Sequence, residues 1–496
     1  MTIDLTYQNA VAFGVIYTPG SVKEPTPTET LSILSNPAIK FVRLQWLDYT
    51  NTVRFRLLPT PYFKKLLSSS RPGTGVSICT LGIVVLTLAP GFSPNGEYLL
   101  VPDLSSLRIS SYAPGHAVVM SYLQEKFPNP EHGLVVPIDP RTLLKRVVDG
   151  AAQKAGVSFL VGFETEFILL KETRPKPVAV NDADWSTSRK LPTGQIETTV
   201  LEEISDVLQE AGIEVQLIHA EAAPGQYEVV TGPLPPLESA DALVFTRETI
   251  YNIASKHGLR ATLAPRIHLD STGSAAHAHI SVHPIDTRST GDLSGDVAPT
   301  LSSHSRSFLQ SLLNYLPSIT IFGLPTKFSY ARMHDGIWSG GTWAGWGIEA
   351  REVPIRVTGG VAPPTLPGGQ GGGQHFEIRC VDGTANPYLT LAAIVGVGAK
   401  GVAENLELTT RSVGTFDGAK SIAEMSDLER KESGVGTLRL PLTLPEARKR
   451  LGQDETVREI LGDDFVTKYL SVNETLERVF VADTEEEIVS KLVEYF

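Results

Sequence analysis

Cysteine is almost absent from this chain: Cys79 and Cys380 are the only two in 496 residues. Two cysteines cannot build a disulfide framework, so the expectation is a reducing compartment. No basic residue precedes Lys23, so the opening stretch lacks the charged start of a secretory signal. No apolar run approaches the ~20 residues of a membrane span, and Glu494-Tyr-Phe496 matches no retention signal. No membrane partner is expected, and cytoplasm is the default. Positive charge is also scarce. Lys and Arg number 43 against 55 Asp and Glu, a net charge of −12, which argues against a nucleic-acid partner. There is no Walker Gly-x-x-x-x-Gly-Lys loop, no protein-kinase signature and no internal repeat.

What remains is ordinary for a large soluble enzyme: 42% apolar and 20% charged residues, with enough chain for two domains. Residues 1–35 read as a loose extension punctuated by Pro25-Thr-Pro27, with a short helix over about 28–36. In 36–135, Val42, Leu44 and Trp46 alternate with polar neighbours. Asp48-Tyr-Thr-Asn51 supplies turn chemistry, and Val53, Phe55 and Leu57 alternate with Arg54 and Arg56. That predicts a hairpin with one buried face, opening a small, mostly antiparallel domain. Pro137-Ile-Asp-Pro140 marks a boundary, with Asp139 as N-cap of a helix reaching Ala155. Through 136–496, strands and helices then alternate. Polar loops are expected at 171–198 and 284–306, irregular chain at 325–347, and a flexible Gly/Pro loop from Gly359 to Gly373. Asn386-Pro387 caps a helix to about residue 403, and two or three amphipathic helices close the chain.

Gly162-Phe-Glu-Thr-Glu-Phe-Ile-Leu-Leu170 reads as a strand. Its period of two puts Glu164 and Glu166 on one face. Two carboxylates on so apolar a strand raise each other's pKa and call for a counter-charge. The pattern returns in His219/Glu221, in His277/His279 with Ser281, and in Glu377/Arg379, while Glu228 follows a Pro-Gly turn. Taken singly, each has a dull reading: a surface glutamate, a core histidine or a structural ion pair. Gathered in one sheet, they concentrate negative charge. Oxygen-rich sites with an occasional imidazole suit Mg²⁺ or Mn²⁺ rather than zinc. Magnesium pairs such sites with substrate phosphates, which points to phosphoryl transfer.

These motifs stand in a definite order. They are Val101-Pro-Asp103, the Glu164/Glu166 strand, Glu221 followed by Pro224-Gly-Gln-Tyr-Glu228, and Gly273-Ser-Ala-Ala-His-Ala-His279. Arg351 with Arg356 comes next, then Glu377-Ile-Arg379 running on to Asn386-Pro-Tyr-Leu389. The set resembles the glutamine synthetase family, class I type, from about residue 36 to the end. The implied fold is α+β: an N-terminal β-grasp domain, then a catalytic domain with a curved antiparallel sheet flanked by helices. The resemblance implies ATP and Mg²⁺ or Mn²⁺, two or three ions per site. Glu166, Glu221 and Glu228 would hold one metal, and Glu164, His277 and Glu377 another. Arg351 and Arg356 would neutralise the transferring phosphoryl group. Arg332 and Arg379 would bind the acid's carboxylates, with the Gly273 backbone near its amino group. His279, Ser281 and Arg356 would lie near the nucleotide. Rings of ten or twelve subunits, with sites between neighbours, are implied too, as are glutamine biosynthesis and nitrogen metabolism.

The departures carry information. Trp338 stands at the family's flap-glutamate position, Thr272 replaces an asparagine, and Ala350 replaces the asparagine of Glu-Asn-Arg. Gly372 stands where a lysine is expected. No aspartate lies in Val76–Leu81 for ammonium, and no tyrosine between Tyr388 and Tyr469 for adenylylation. This pattern resembles the γ-glutamyl-amine ligases and the fungal synthetase-like branch. The expectation is an ATP-dependent ligase joining a glutamate-like acid to an amine, with Trp338, Trp343 and Trp346 walling the amine pocket. An ammonia-using synthetase is one alternative; an inactive scaffold or sensor is another.

Overall fold

A computed structural model describes residues 15–22, 32–183, 185, 191–268, 271–286, 297–298, 300–359, 374–413, 422–436, 438–482 and 484–496. Pro25-Thr-Pro27, the start of the 28–36 helix, the middle of the polar 284–306 loop and the Gly-rich loop with Gly372 lie outside them.

The first sheet begins with Phe41–Leu47 and Val53–Pro59, paired antiparallel around the Asp48–Thr52 turn. The hairpin is as expected, but its second strand is not buried as expected. Register sets Arg54 opposite Trp46 and Arg56 opposite Leu44. Directly opposed residues share a face, so the two arginines lie on the side of Leu44 and Trp46. Phe55 and Leu57 point outward, at 43% and 44% exposure. Arg43 covers the Phe55 ring instead, 5.3 Å from its centroid. Val53–Pro59 is an edge strand, while Phe41–Leu47 continues the sheet by pairing parallel with His116–Asn129. Glu97–Pro102 and Thr74–Ser77 extend it antiparallel, and the short strands Arg108–Ile109 and Gly133–Val135 also pair with His116–Asn129.

Asp139 caps the helix Pro140–Ala155 by accepting from Thr142 N, and Gly156 ends it at φ 64°. The chain then enters Val157–Glu172, the centre of the second sheet. Among the described residues its strand order is Val215–Ala220, Gln226–Thr231, Val157–Glu172, Ala278–Pro284, His375–Ile378, Ile355–Thr358, Trp346–Ile348. All these neighbours are antiparallel except the last pair, which is parallel. Helices Pro140–Ala155, Pro236–Lys256 and Ser303–Gly323 pack on this sheet, and Pro387–Ala403 packs on those helices. Gly398 and Gly401 let the last helix close on its neighbour: added Cβ atoms would lie 2.1 Å from the Phe308 ring and 2.4 Å from Ser307 O. One hydrophobic core runs from Leu34 through Trp46, Phe163 and Tyr388 to Phe496, so the two sheets share it. The expected irregular stretch 325–347 contains the helix Lys327–Arg332. Five helices, not two or three, follow residue 403 among the described residues. No described helix is long and apolar enough to cross a membrane.

Candidate active site

Two rows of polar side chains cross one face of the second sheet. In the first, Glu166 lies opposite Glu228 and Glu228 opposite His219. In the second, Gly162 lies opposite His279, His279 opposite Glu377, and Glu377 opposite Arg356. Gly162, Glu164 and Glu166 alternate along one strand, so both rows share its face.

The rows converge as two clusters. His277 Nδ1 is 2.7 Å from Glu164 and 3.2 Å from Glu377, and His279 Nε2 is 3.0 Å from Glu164. Glu164, His277 and Glu377 each offer a ligand atom, all within 4.8 Å of one another. His219, Glu221 and Glu228 do the same, with His219 Nε2 2.9 Å from Glu228. Glu166 sits beside this second group but is engaged elsewhere: it accepts from Ala275 N at 3.0 Å and Gln226 Nε2 at 2.9 Å. The sequence grouping of Glu166 with Glu221 and Glu228 did not include His219, although its i, i+2 spacing from Glu221 was the available signal.

The clusters differ in charge balance. Burial would push Glu377 up, yet His277, Arg379 and His279 outweigh it and hold the carboxyl at about 2. Glu164 is likewise held well below the usual range, its two histidines overcoming burial. Near the second cluster, burial and then Glu228 and Glu221 push Glu166 well up. Burial also raises Glu228 to about 7 against its His219 hydrogen bond, and that bond lifts His219 to about 9. Crowded carboxylates short of positive charge, with an imidazole beside them, are a donor set that fits a hard divalent cation.

Arginines border the clusters. Arg379 pairs with Glu377 and donates to the Trp338 carbonyl at 2.7 Å. Arg356 Nη1 is 2.9 Å from Glu377, and its other amino group bonds Glu349. Arg332 is buried and donates to the carbonyls of Arg379 at 3.0 Å and Val381 at 3.3 Å. Its stem packs on Gly273, where a Cβ would lie 2.7 Å from Arg332 Cγ and 2.3 Å from Pro265 O. Ser281 Oγ is 2.7 Å from His283 Nε2, and His279 Nδ1 is 2.9 Å from His375 Nε2. A cavity of about 2190 Å³ is lined by every candidate residue, exposed Arg351 included, except Glu377. Glu377 lies fully buried beneath it.

The tryptophan expectation needs correction. Trp338 is on the cavity wall, but Trp343 and Trp346 are not. Trp346 is 1% exposed in the core, its Nε1 donating to Thr410 O. Arg430 stacks 3.6 Å from the Trp343 ring. Proximity in a Gly-rich loop says nothing about facing. Trp338 instead meets Trp185, edge to face, at 6.1 Å and 81°. The supposedly loose extension also reaches the wall: Tyr17 bonds Glu214 and accepts from Gln216 at 2.8 Å. Neither Trp185 nor Tyr17 carries a local sequence signal. Thr272 lines the cavity, whereas Ala350 is buried in a small apolar cluster with Val353.

Residues 137–488 match the family described as "Glutamine synthetase, catalytic domain". The chain belongs to the glutamine synthetase family. It is 35% identical over 456 residues to the protein fluG of Emericella nidulans, covering 89% of this chain and 47% of that one. It therefore spans about half of fluG. It is 29% identical to a gamma-glutamylpolyamine synthetase of Streptomyces coelicolor, covering 90% of each. A glutamate–methylamine ligase of Methyloversatilis universalis is 26% identical, over 89% of this chain and 94% of that one. In fold, the chain resembles a solved GmaS/ADP complex with a TM-score of 0.72, at 23% identity over 92% of this chain and 98% of that one. The α+β synthetase fold expected from the motifs is the one observed.

Proposed function

We propose that this synthetase-family chain is an ATP-dependent carbon–nitrogen ligase. It activates the side-chain carboxylate of glutamate, or a similar acid, as an acyl phosphate and couples it to an organic amine. The observation that carries this is the pair of carboxylate–imidazole clusters and bordering arginines on one cavity. A carboxylate is a poor electrophile. Its oxygen therefore attacks the γ-phosphorus of ATP, ADP leaves, and the acyl carbon becomes open to attack. The amine nitrogen then forms the C–N bond, the C–O bond to phosphate breaks, and the nitrogen gives up its surplus proton as phosphate departs.

In this reading Glu164, His277 and Glu377 hold one Mg²⁺ or Mn²⁺, and Glu166, Glu221 and Glu228, with His219 alongside, hold another. The ions, two or three per site, supply charge neutralisation for the phosphates. Arg351 and Arg356 bind the transferring phosphoryl group. Arg332 and Arg379 hold the acid beside the Gly273 backbone, and His279 and Ser281 face the nucleotide. Trp338, where a carboxylate would serve ammonium, favours an organic amine. The activities for which the Streptomyces and Methyloversatilis relatives are named support the same class. Rings of ten or twelve subunits in the cytoplasm, with the boundary between the two domains near residue 136, complete the proposal.

The test is phosphate release by the purified protein. It should require acid, ATP, Mg²⁺ or Mn²⁺ and an amine together. Preference for ammonium over every amine would favour a glutamine synthetase. ATP binding with no turnover for any acid–amine pair would favour a scaffold or sensor.

A further inference from the structure

Two exposed tryptophans in contact on a cavity wall are costly to leave uncovered. Trp185 and Trp338 are each 62% exposed, come from separate loops and both line the cavity. Their edge-to-face contact makes two apolar walls at nearly a right angle. This corner is tied to the reaction site. The Trp338 carbonyl accepts from Arg379, which pairs with Glu377. A nucleotide base hangs at the far end of a triphosphate, away from the transferred phosphoryl group. The amine must touch the acyl carbon itself. The corner beside Arg379 therefore suits the body of the amine.

Charge narrows the choice further. Among the described residues, the carboxylates on the cavity wall are Glu164, Glu166, Glu214, Glu221 and Glu228. Four of them belong to or adjoin the two clusters, and Glu214 is engaged by the Tyr17 hydroxyl. Arg379 donates to the Trp338 carbonyl, and Arg332 and Arg351 also line the cavity. One ammonium group is welcome at an indole face. A second, at the far end of a diamine or longer polyamine, would have to leave water for a corner walled by two indoles and bordered by the Arg379 guanidinium, a cost that an alkyl or aryl end does not carry.

Resting on the ligase reading above, we propose that the amine is a monoamine with an apolar body, not a polyamine. Trp185 acts with Trp338 as a specificity-determining residue. The amine's hydrocarbon covers both indoles, and its single nitrogen reaches past Trp338 to the acyl carbon.

The experiment measures kcat/KM by phosphate release at saturating ATP, glutamate and Mg²⁺. The panel is ammonium, n-butylamine, benzylamine, putrescine and spermidine. Butylamine or benzylamine should exceed both polyamines and ammonium by at least ~10-fold, the scale of one apolar pocket contact. Trp185→Ala should raise KM for the preferred monoamine by ~10-fold with a smaller fall in kcat, and Trp185→Phe should recover most of it. Putrescine, spermidine or ammonium as the best substrate overturns the proposal, and a polyamine result leaves the ligase reading standing. An effect of Trp185→Ala on KM for ATP instead of the amine also overturns it, because the corner then holds the base. No phosphate release with any member of the panel sinks the ligase reading itself and this inference with it.

Discussion

Arg141 is the residue whose loss should be felt most widely. It sits 3% exposed at the start of the helix Pro140–Ala155. Its guanidinium bonds Asp241 through Nε at 3.0 Å and Nη2 at 2.7 Å, and reaches Asp103 at 2.8 Å. It also lies 4.3 Å from the Tyr122 ring. Asp103 and Tyr122 belong to the first sheet's side, and Asp241 to the helix Pro236–Lys256. Tyr388 donates to Asp241 at 2.6 Å from the helix that follows the Glu377 strand. One cation thus fastens the first sheet to the element that carries the site. Arg141→Ala would strand two carboxylates, one of them buried, and breaking such a pair costs about 3–5 kcal/mol. Arg141→Lys keeps the charge but loses the two-pronged geometry, and should cost about half as much.

The assay is urea unfolding of metal-free protein, followed by far-UV circular dichroism, with the slope unchanged between variants. The pH dependence gives a second check. Burial works against the Asp103 carboxylate, but Arg141 outweighs it and holds its pKa below the usual value. Stability from a lowered carboxylate is present above the unfolded pKa and is lost as pH falls through the folded one. The Arg141→Ala deficit should therefore shrink in acid. A deficit under about 1 kcal/mol at pH 8, or one that is unchanged at low pH, would refute the clamp.

Glu228→Gln should abolish metal-dependent phosphate release. It should not lower the metal-free melting temperature, because it thins the crowd of carboxylates around Glu166; scanning fluorimetry with and without Mg²⁺ reads both effects. Arg356→Ala, which removes a guanidinium aimed at the clusters, should cost about 2–4 kcal/mol of transition-state stabilisation in kcat/KM. Burial raises Asp139 from 3.8 to about 6. The unfolded chain then loses its proton first as pH climbs, so this group withdraws stability between about pH 4 and pH 6. Asp139→Asn keeps a capping oxygen and should flatten that window by up to roughly 3 kcal/mol, read as the wild-type-minus-variant difference in urea unfolding across pH.

Several features were legible because they depend on neighbours in the chain. Asp139-Pro140 and Asn386-Pro387 capped helices as read, since a cap is a bond to a residue two or three places on. Alternation placed Glu164 with Glu166 and His279 with Ser281, since a strand's period of two admits only two faces. The order of the motifs along the chain carries the family resemblance.

Tertiary structure decided the rest. The Phe41–Pro59 hairpin offered two alternating apolar sets, and only the register across its turn turned Phe55 and Leu57 outward beside Arg43. Grouping His219 with Glu228 depended on the pairing register of two neighbouring strands, and turning Glu166 to Ala275 N brought together chain 109 positions apart. Trp185 comes from a polar loop and meets Trp338 153 positions later, while Trp346, close by in sequence, is swallowed by the core. Local sequence sets each strand's faces and each helix's ends. Which faces meet is a sum of long-range packing and register, and no local pattern of residues contains it.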